Sequence, residues 1–207
     1  LGFIDFAGSS VVHSVGGWVA LAVLLIIGNR TGRFQEGKKR TFQGSNTPLA
    51  ALGALILWFG WFGFNGGANG AMDLRIPLIL INTFLAASAG LVLSSIMGIY
   101  VMKKPEPMFM ITGPIAGLVS ITASCAYVEP TEAIIIGSIG GLVSGSGILL
   151  LEKIKVDDVV SAVPVHLFAG TWATIAVAIF GDLEAMGIER SMADQLYIQL
   201  IGIVSVG

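Results

Sequence analysis

Charged side chains are scarce in this sequence. Only 12% of its 207 residues are Asp, Glu, Lys or Arg, whereas 55% are hydrophobic. Soluble globular domains carry about twice that charged fraction, so the composition excludes an ordinary soluble domain. The net charge of −2 also leaves no excess of cations that would attract nucleic acid. The composition therefore predicts a chain whose natural solvent is lipid.

Groups that carry covalent or metal chemistry are also few. The chain has one cysteine, Cys125, so an intrachain disulfide is excluded, and its apolar surroundings favour a small buried residue. The sequence contains no phosphate-binding loop, no metal-ligand cluster and no nucleophile with a neighbouring base. We therefore predict neither an enzyme nor a cofactor or metal, and an intramembrane enzyme is the weakest of the functions considered.

Hydrophobic runs dominate what remains. A helix needs about 20 apolar residues to cross a bilayer, and six stretches meet this length, while a seventh begins near Gln195 and is truncated. Membrane barrel strands are only about 10 residues of strict alternation, so helices are favoured. The sequence predicts an all-α integral membrane protein, a bundle of about six complete transmembrane helices plus a truncated seventh. The six stretches are residues 6–28, 46–72, 76–102, 107–128, 133–151 and 159–181.

The two ends of the chain predict a piece of a longer protein. The sequence opens on leucine rather than methionine, and it closes within the hydrophobic run 195–207. No basic segment precedes the first apolar run, which contains Asp5 and His13, so that run is not a signal peptide. We expect residues 1–207 to form a single transmembrane domain.

Basic residues indicate how the spans are oriented. If the first span ends in the cytoplasm, nine Lys and Arg residues fall in cytoplasmic loops and only two, Arg75 and Arg190, lie outside. This is the bias that the positive-inside rule describes. It places loop 28–45 in the cytoplasm and loop 182–194, which contains four acids, outside. The nine predicted cytoplasmic cations are Arg30, Arg33, Lys38, Lys39, Arg40, Lys103, Lys104, Lys153 and Lys155.

Two short segments share one pattern of residues. Each contains an Asp, a His eight residues later with Val directly before it, and a Gly four residues after the His. By the charge count, the first segment enters the membrane from outside and the second from the cytoplasm, so the copies are inverted. Inverted repeats are common in transporters, whose sites lie near the midplane at the repeat interface. The shared positions are Asp5, His13 and Gly17 in the first segment and Asp158, His166 and Gly170 in the second.

The two histidines are the candidate pore residues. His13 and His166 are the only histidines in the chain and the only ionisable residues deep within a predicted span. Each lies about 7 to 10 residues inside its helix, roughly 10–15 Å deep and about half of the hydrocarbon core. Ionisable residues at this depth usually face a pathway, so we expect the rings side by side, lining one. The alternative is a pair that only hydrogen-bonds two helices together.

The acids and glycines have structural interpretations. Asp5 and Asp158 lie near the starts of their helices, where a carboxylate caps free N–H groups and interacts favourably with the helix dipole. Asp5 would also make the outer mouth more attractive to cations. Small residues spaced four apart on the fifth span predict close helix packing. These are Gly137, Gly141 and Gly145.

Three motifs resemble the ammonium transporter (Amt/Mep/Rh) family. They are DFAGSSVVH at residues 5–13, WFGWFGFNGG at residues 58–67, and the stretch from Asp157 through His166 to Trp172. The resemblance spans the whole chain. It implies the fifth to tenth membrane helices of eleven plus the start of the last, within an inverted-repeat channel or transporter fold.

The resemblance also implies roles and partners. His13 and His166 match the twin histidines of the pore, Phe64 matches the inner gate phenylalanine, and Asp5 matches the acid that supports the outer site. Trp61 is a second aromatic candidate for holding a cation at the entrance, with packing as its alternative. The family's implied partners are ammonium or ammonia, membrane lipid, two further subunits of a homotrimer, and a PII-class regulatory protein or a fused signalling domain. A bacterial inner membrane is the expected location.

Departures from the family pattern bear on the outer ammonium site and on the choice between transport and sensing. Ala68 stands where the family often has a serine that binds ammonium, and Leu167-Phe168 replace the usual Gly-Val after the second histidine. The form around His166 resembles members that are fused to signalling domains. Facilitated ammonium transport is the first hypothesis, and an ammonium sensor is the second.

Overall fold

The computed structural model describes residues 2–34, 42 and 44–207. Within them the chain forms seven α-helices, and one π-helical turn leads into α1 and another into α6. The predicted all-α class is confirmed. The α-helices are α1 (Val15–Ile27), α2 (Thr47–Ala68), α3 (Ile76–Met102), α4 (Pro107–Thr122), α5 (Pro130–Lys153), α6 (Ala169–Phe180) and α7 (Met192–Val206). The first π turn is Ser9–Ser14 and the second π turn is Val163–Phe168.

Polar caps and prolines mark the starts of the helices. α2 begins where the Asn46 side chain accepts a hydrogen bond from the amide of Leu49 at 2.9 Å. α5 begins at Pro130 behind a capping box, in which Glu129 N donates to Glu132 Oε2 at 2.8 Å. The first turn of a helix has free N–H groups, so side-chain acceptors and proline are favoured there.

Five helical segments among the described residues are long and apolar enough to cross a bilayer. The fourth predicted span, residues 107–128, is shorter in the structure, because α4 ends at Thr122 rather than at residue 128. The chain turns away there, and Asn82 Nδ2 donates to the carbonyls of Cys125 at 3.0 Å and Val128 at 2.8 Å. The five segments are Ser9–Ile27, Thr47–Ala68, Ile76–Met102, Pro130–Lys153 and Val163–Phe180, and the shorter apolar helices are Pro107–Thr122 and Met192–Val206.

Loops predicted to share the cytoplasmic side do lie together. The α1–α2 loop, the α3–α4 loop and the connection after α5 line one cavity of about 760 Å³, to which they contribute Arg30, Lys104 and Asp157 respectively. This arrangement agrees with the orientation taken from the charge count. Three of the nine predicted cytoplasmic cations lie outside the described residues, namely Lys38, Lys39 and Arg40.

α4 lies at the centre of the bundle and packs against α2, α3, α5 and α6. The glycines of α5 pack onto α3. An ideally placed Cβ at Gly141 would lie 2.6 Å from the carbonyl oxygen of Gly90, and one at Gly145 would lie 2.8 Å from Met97 Sδ. The close packing predicted from the glycine spacing is confirmed, and α3 is the helix that approaches.

An ion-pair cluster ties the end of α1 to the connection after α5. Arg30 Nε and Nη2 donate to the Asp157 carboxylate at 2.7 and 2.8 Å. Arg33 Nε lies 3.4 Å from the same carboxylate, and Arg33 also pairs with Glu152. The Asp157 side chain is only 4% exposed. The hydrogen-bonded Arg30 guanidinium holds the pKa of the Asp157 carboxyl below its ordinary value.

Replacing Asp157 by Asn is expected to lower the free energy of unfolding by about 1–2 kcal/mol, because the partly exposed Arg30 loses its charged acceptor. The folded pKa lies below the unfolded pKa. The carboxylate's contribution is therefore complete above about pH 4 and is lost as the pH falls through the folded pKa. Asp157→Asn should lack this acid-dependent loss, which thermal melts in detergent at several pH values would measure.

Asp73→Asn is the matched control for this prediction. Asp73 pairs with Arg75 at 3.1 Å, but both side chains are exposed, at 37% and 54%. Exposed ion pairs contribute little, so this variant should melt like the parent. Identical melts for the two variants at neutral pH would contradict the prediction.

Candidate functional site

Each histidine lies in a π-helical turn that an acid caps. The Asp5 carboxylate accepts hydrogen bonds from the amides four, five and six residues later, at 2.6, 2.8 and 3.0 Å. The Asp158 carboxylate accepts from the amides four and five residues later, at 3.0 and 2.8 Å. Both acids therefore satisfy the free N–H groups of a first turn. The predicted effect of Asp5 on cations at the outer mouth stays a prediction.

The backbone follows the same course in both copies. Three residues after each acid, Gly8 (φ 109°) and Ser161 (φ 58°) adopt the left-handed region. Each histidine follows five residues later. Non-glycine residues rarely take this conformation, so the local fold imposes it on Ser161. The repeat predicted from the spacing of Asp and His is thus also a repeat of backbone conformation.

The two copies pack against each other reciprocally. The first π turn contacts α6, and the second π turn contacts α1. Ser10 Oγ in the first turn lies 2.5 Å from Thr174 Oγ1 in α6. Because the start of each segment meets the continuation of the other, the two segments run in opposite directions. This is the inverted arrangement that the charge count predicts.

His13 and His166 face each other across this interface. Their Nδ1 atoms are 3.2 Å apart, their ring centroids are 5.3 Å apart, and their planes differ by 19°. An Nδ1–Nδ1 hydrogen bond needs one donor and one acceptor, so two neutral rings take opposite tautomers. His13 is 8% exposed, and among the described residues its Nε2 has no hydrogen-bond partner. The two rings are therefore in hydrogen-bonding contact through Nδ1, and the His13 Nε2 atom is not used in that contact.

Aromatic side chains from α2 form a wall beside His13. The Trp61 ring stacks on the imidazole with centroids 4.9 Å apart and planes at 14°, and the Phe64 ring lies 5.6 Å away. Trp61 is 7% exposed, whereas Phe64 is 39% exposed. The structure thus places Trp61 alongside the histidine, and Phe64 nearly one turn further along α2. Their roles at the entrance stay predictions.

The residue that fixes Trp61 was not predicted from the sequence. The indole N–H of Trp61 donates to Thr122 Oγ1 at 2.9 Å, and both residues are buried. Thr122 is the last residue of α4. A hydroxyl in an apolar run is the available sequence signal, but it does not reveal a partner in a different helix. Thr122 orients the ring that stacks on His13, because a buried indole N–H needs an acceptor.

These features define a class of protein. The chain is an α-helical, multi-pass integral membrane protein, and its partly buried histidine pair lies at the interface of two inverted segments. Membrane transporters and channels place their sites in this way.

Comparisons with known proteins identify the family. The sequence model of the Ammonium Transporter Family matches residues 1–207. The chain is 46% identical to the ammonium transporter Amt2 of Archaeoglobus fulgidus over 183 residues, covering 87% of this chain and 39% of that protein. It is 43% identical to a putative ammonium transporter of Synechocystis over 207 residues, covering 98% of this chain and 38% of that protein.

Solved structures agree with the sequence comparisons. A Sensor Amt Protein superimposes with a TM-score of 0.94 at 40% identity, covering 100% of this chain and 52% of that one. Candida albicans Mep2 superimposes with a TM-score of 0.89 at 28% identity, covering 99% and 47%. The chain belongs to the ammonium transporter family, and it spans about half or less of the length of these relatives.

Proposed function

We propose that this chain forms the histidine-bearing half of a path that conducts ammonium or ammonia across a membrane. The observation that carries the proposal is the His13–His166 contact, with Nδ1 atoms 3.2 Å apart at the interface of two inverted segments. Ammonium is proposed as the substrate because the relatives are named ammonium transporters. His13 and His166 form the proton relay, and Phe64 narrows the path on the outer side.

The selectivity of this path follows from desolvation. Ammonium and potassium are similar in size, so size alone cannot separate them. Moving an ion out of water without replacement ligands costs far more than thermal energy, so an apolar path excludes potassium. Ammonium differs because it can release a proton and continue as neutral ammonia.

The histidine pair supplies the acceptor for that proton. Imidazole can accept or donate at either ring nitrogen near neutral pH. An ammonium ion at the pair donates its proton to a nitrogen that carries a free lone pair. The Nδ1–Nδ1 hydrogen bond then gives the proton a route to the second ring, while ammonia moves along the apolar path.

Properties of the whole protein complete the proposal. We infer a homotrimer with one path per subunit in a bacterial inner membrane, regulated by a PII-class protein or by a fused signalling domain. Reconstitution of the full-length protein in proteoliposomes tests the central claim. An ammonium gradient should produce transport, and an equal potassium gradient should not. Equal fluxes for the two ions would contradict the proposal.

An ammonium sensor is the second candidate function. It is favoured by the similarity to the Sensor Amt Protein and by the sequence Val163-Pro164-Val165-His166-Leu167. The full reading frame separates the two candidates. A kinase or cyclase domain beyond residue 207, whose activity responds to ammonium, would favour sensing, and a short tail would favour transport.

Replacing Phe64 by Ala is expected to change the rate or the ion selectivity of uptake. The 39% exposed Phe64 ring lies 5.6 Å from the His13 ring and is in position to narrow the path. Removing it opens the approach to the histidines. The measurement is methylammonium uptake by the full-length variant, with potassium as competitor.

Phe59→Ala is the matched control for Phe64→Ala. Phe59 lies on the same helix and is 79% exposed, and no ring contact joins it to the histidines among the described residues. This variant should transport like the parent. Parental uptake in Phe64→Ala as well would show that Phe64 is not a gate.

A further inference from the structure

Gly17 and Gly170, the glycines four residues after the two histidines, lie where the two copies touch. An ideally placed Cβ at Gly17 would lie 2.5 Å from Leu167 N and 2.8 Å from Leu167 Cα. One at Gly170 would lie 2.7 Å from both Ser14 Oγ and Ser9 O. Real Cβ atoms essentially never come within 3.0 Å of a heavy atom outside their own residue and its neighbours in the chain. Neither position therefore holds a methyl group unless the opposite turn moves.

The two contacts are reciprocal with respect to the histidines. Leu167 directly follows His166, and Ser14 directly follows His13. Each glycine thus touches the backbone or side chain next to the other copy's histidine. Hydrogen bonds weaken quickly when donor and acceptor move beyond about 3.2 Å, and the Nδ1 atoms are already 3.2 Å apart. A shift of either turn by a few tenths of an ångström would therefore weaken the contact between the rings.

We propose that Gly17 and Gly170 are positioning residues, which set the separation of His13 and His166 by allowing the two π turns to approach. Their effect on ion selectivity rests on the transport function proposed above. Their effect on the distance between the rings does not. The glycine lies four residues after the histidine in both copies. Its proposed role, which is to set the distance between the rings, differs from that of the α5 glycines, which pack two helices together.

The test compares four single variants of the full-length protein. Gly17→Ala and Gly170→Ala add a methyl group at the interface of the two copies. Gly16→Ala is the first control, because no described atom outside its own helix lies within 4 Å of a Cβ there. Gly141→Ala is the second control, because its Cβ would press on the Gly90 carbonyl of α3 at 2.6 Å.

Two measurements separate positioning from packing. Solid-state NMR of the ¹⁵N-histidine-labelled protein in bilayers reports the Nδ1–Nδ1 hydrogen bond as a coupling between the two nitrogens. The parent and both controls should show it, and Gly17→Ala and Gly170→Ala should lose it. Proteoliposome fluxes should show a roughly tenfold or greater fall in ammonium-over-potassium selectivity in the same two variants, because small displacements of reacting groups have large effects.

Several outcomes would overturn the proposal. Retained coupling and selectivity in Gly17→Ala and Gly170→Ala, with only a loss of thermal stability like that of Gly141→Ala, would reduce both glycines to packing residues. If the single variants do not fold, Gly170→Ala is combined with Ser14→Gly, which removes the Ser14 Oγ contact and keeps the Ser9 O contact. Retained coupling in that double variant also overturns the proposal. A parent protein that does not conduct ammonium refutes the proposed function, while the NMR comparison still decides the positioning role.

Discussion

Replacing His13 or His166 by alanine in the full-length protein is expected to abolish ammonium transport or to destroy its selectivity over potassium. Each substitution deletes one partner of the 3.2 Å contact between the rings. A proton accepted by the remaining imidazole then has no second ring to pass to, so the relay is broken and the apolar path stays blocked. If water fills the space that the imidazole leaves, hydrated ions pass, and potassium passes with them.

Proteoliposome currents with ammonium and then with potassium, normalised to folded protein, distinguish these results. Val12→Ala is the control, because Val12 directly precedes His13 and its side chain is 48% exposed. It should retain the parental fluxes. A purely structural histidine pair predicts a third result, in which thermal stability falls while ammonium flux and potassium exclusion per folded molecule stay unchanged. That result in both histidine variants would contradict the proton-relay role.

Replacing Gly137 or Gly117 by alanine is expected to destabilise the bundle severely. The carbonyl oxygen of Ala86 on α3 lies against both positions, so a Cβ at Gly117 on α4 or at Gly137 on α5 would collide with it. The colliding atom belongs to the backbone and cannot rotate away. Overpacking of this kind costs about 1–3 kcal/mol when the neighbours can yield, and more when they cannot.

Gly53→Ala on α2 is the control for these two variants. No described atom outside its own helix lies within 4 Å of a Cβ there, and alanine is favoured over glycine in a helix by about 1 kcal/mol. Gly53→Ala should therefore melt at or above the parental temperature. Thermal melts of the detergent-solubilised proteins provide the measurement. Parental melting of Gly117→Ala and Gly137→Ala would show that α4 and α5 do not approach α3 this closely.

Some helices could be predicted closely from the sequence. α3 occupies residues 76–102 as the hydropathy pattern predicts, because an uninterrupted apolar run bounded by charged residues has few alternatives in lipid. The prediction for α4 was too long. Residues 123–128 are apolar enough to continue a membrane helix. Their carbonyls are instead bound from elsewhere, because the Asn82 side chain donates to two of them and the residue 6 amide donates to the carbonyl of residue 123. The residue 7 amide donates to the last carbonyl of α4. Hydropathy does not register such long-range hydrogen bonds.

The candidate site was partly accessible to sequence reasoning. The matched spacing of Asp, His and Gly identified two equivalent segments, and the structure brings His13 and His166 together. The stacking of Trp61 on His13, and the Thr122 hydroxyl that holds the indole, were not accessible. A side chain's partner in another helix depends on how closely the two backbones approach and on the rotation of each helix about its axis.

The sequence alone determined the membrane class, the approximate spans and the identity of the paired histidines, and it predicts the sidedness of the loops. Each of these depends on a property that can be counted directly in the linear sequence. These properties are the length of an apolar run, the number of cations in a loop, and a repeated spacing of residue types. Only the tertiary structure decided that Gly137 and Gly117 meet Ala86, that Arg30 pairs with Asp157, and that Gly17 and Gly170 touch the opposite π turns. These contacts join residues far apart in the chain at separations of a few ångströms, and such separations follow from the packing of whole helices rather than from any local pattern.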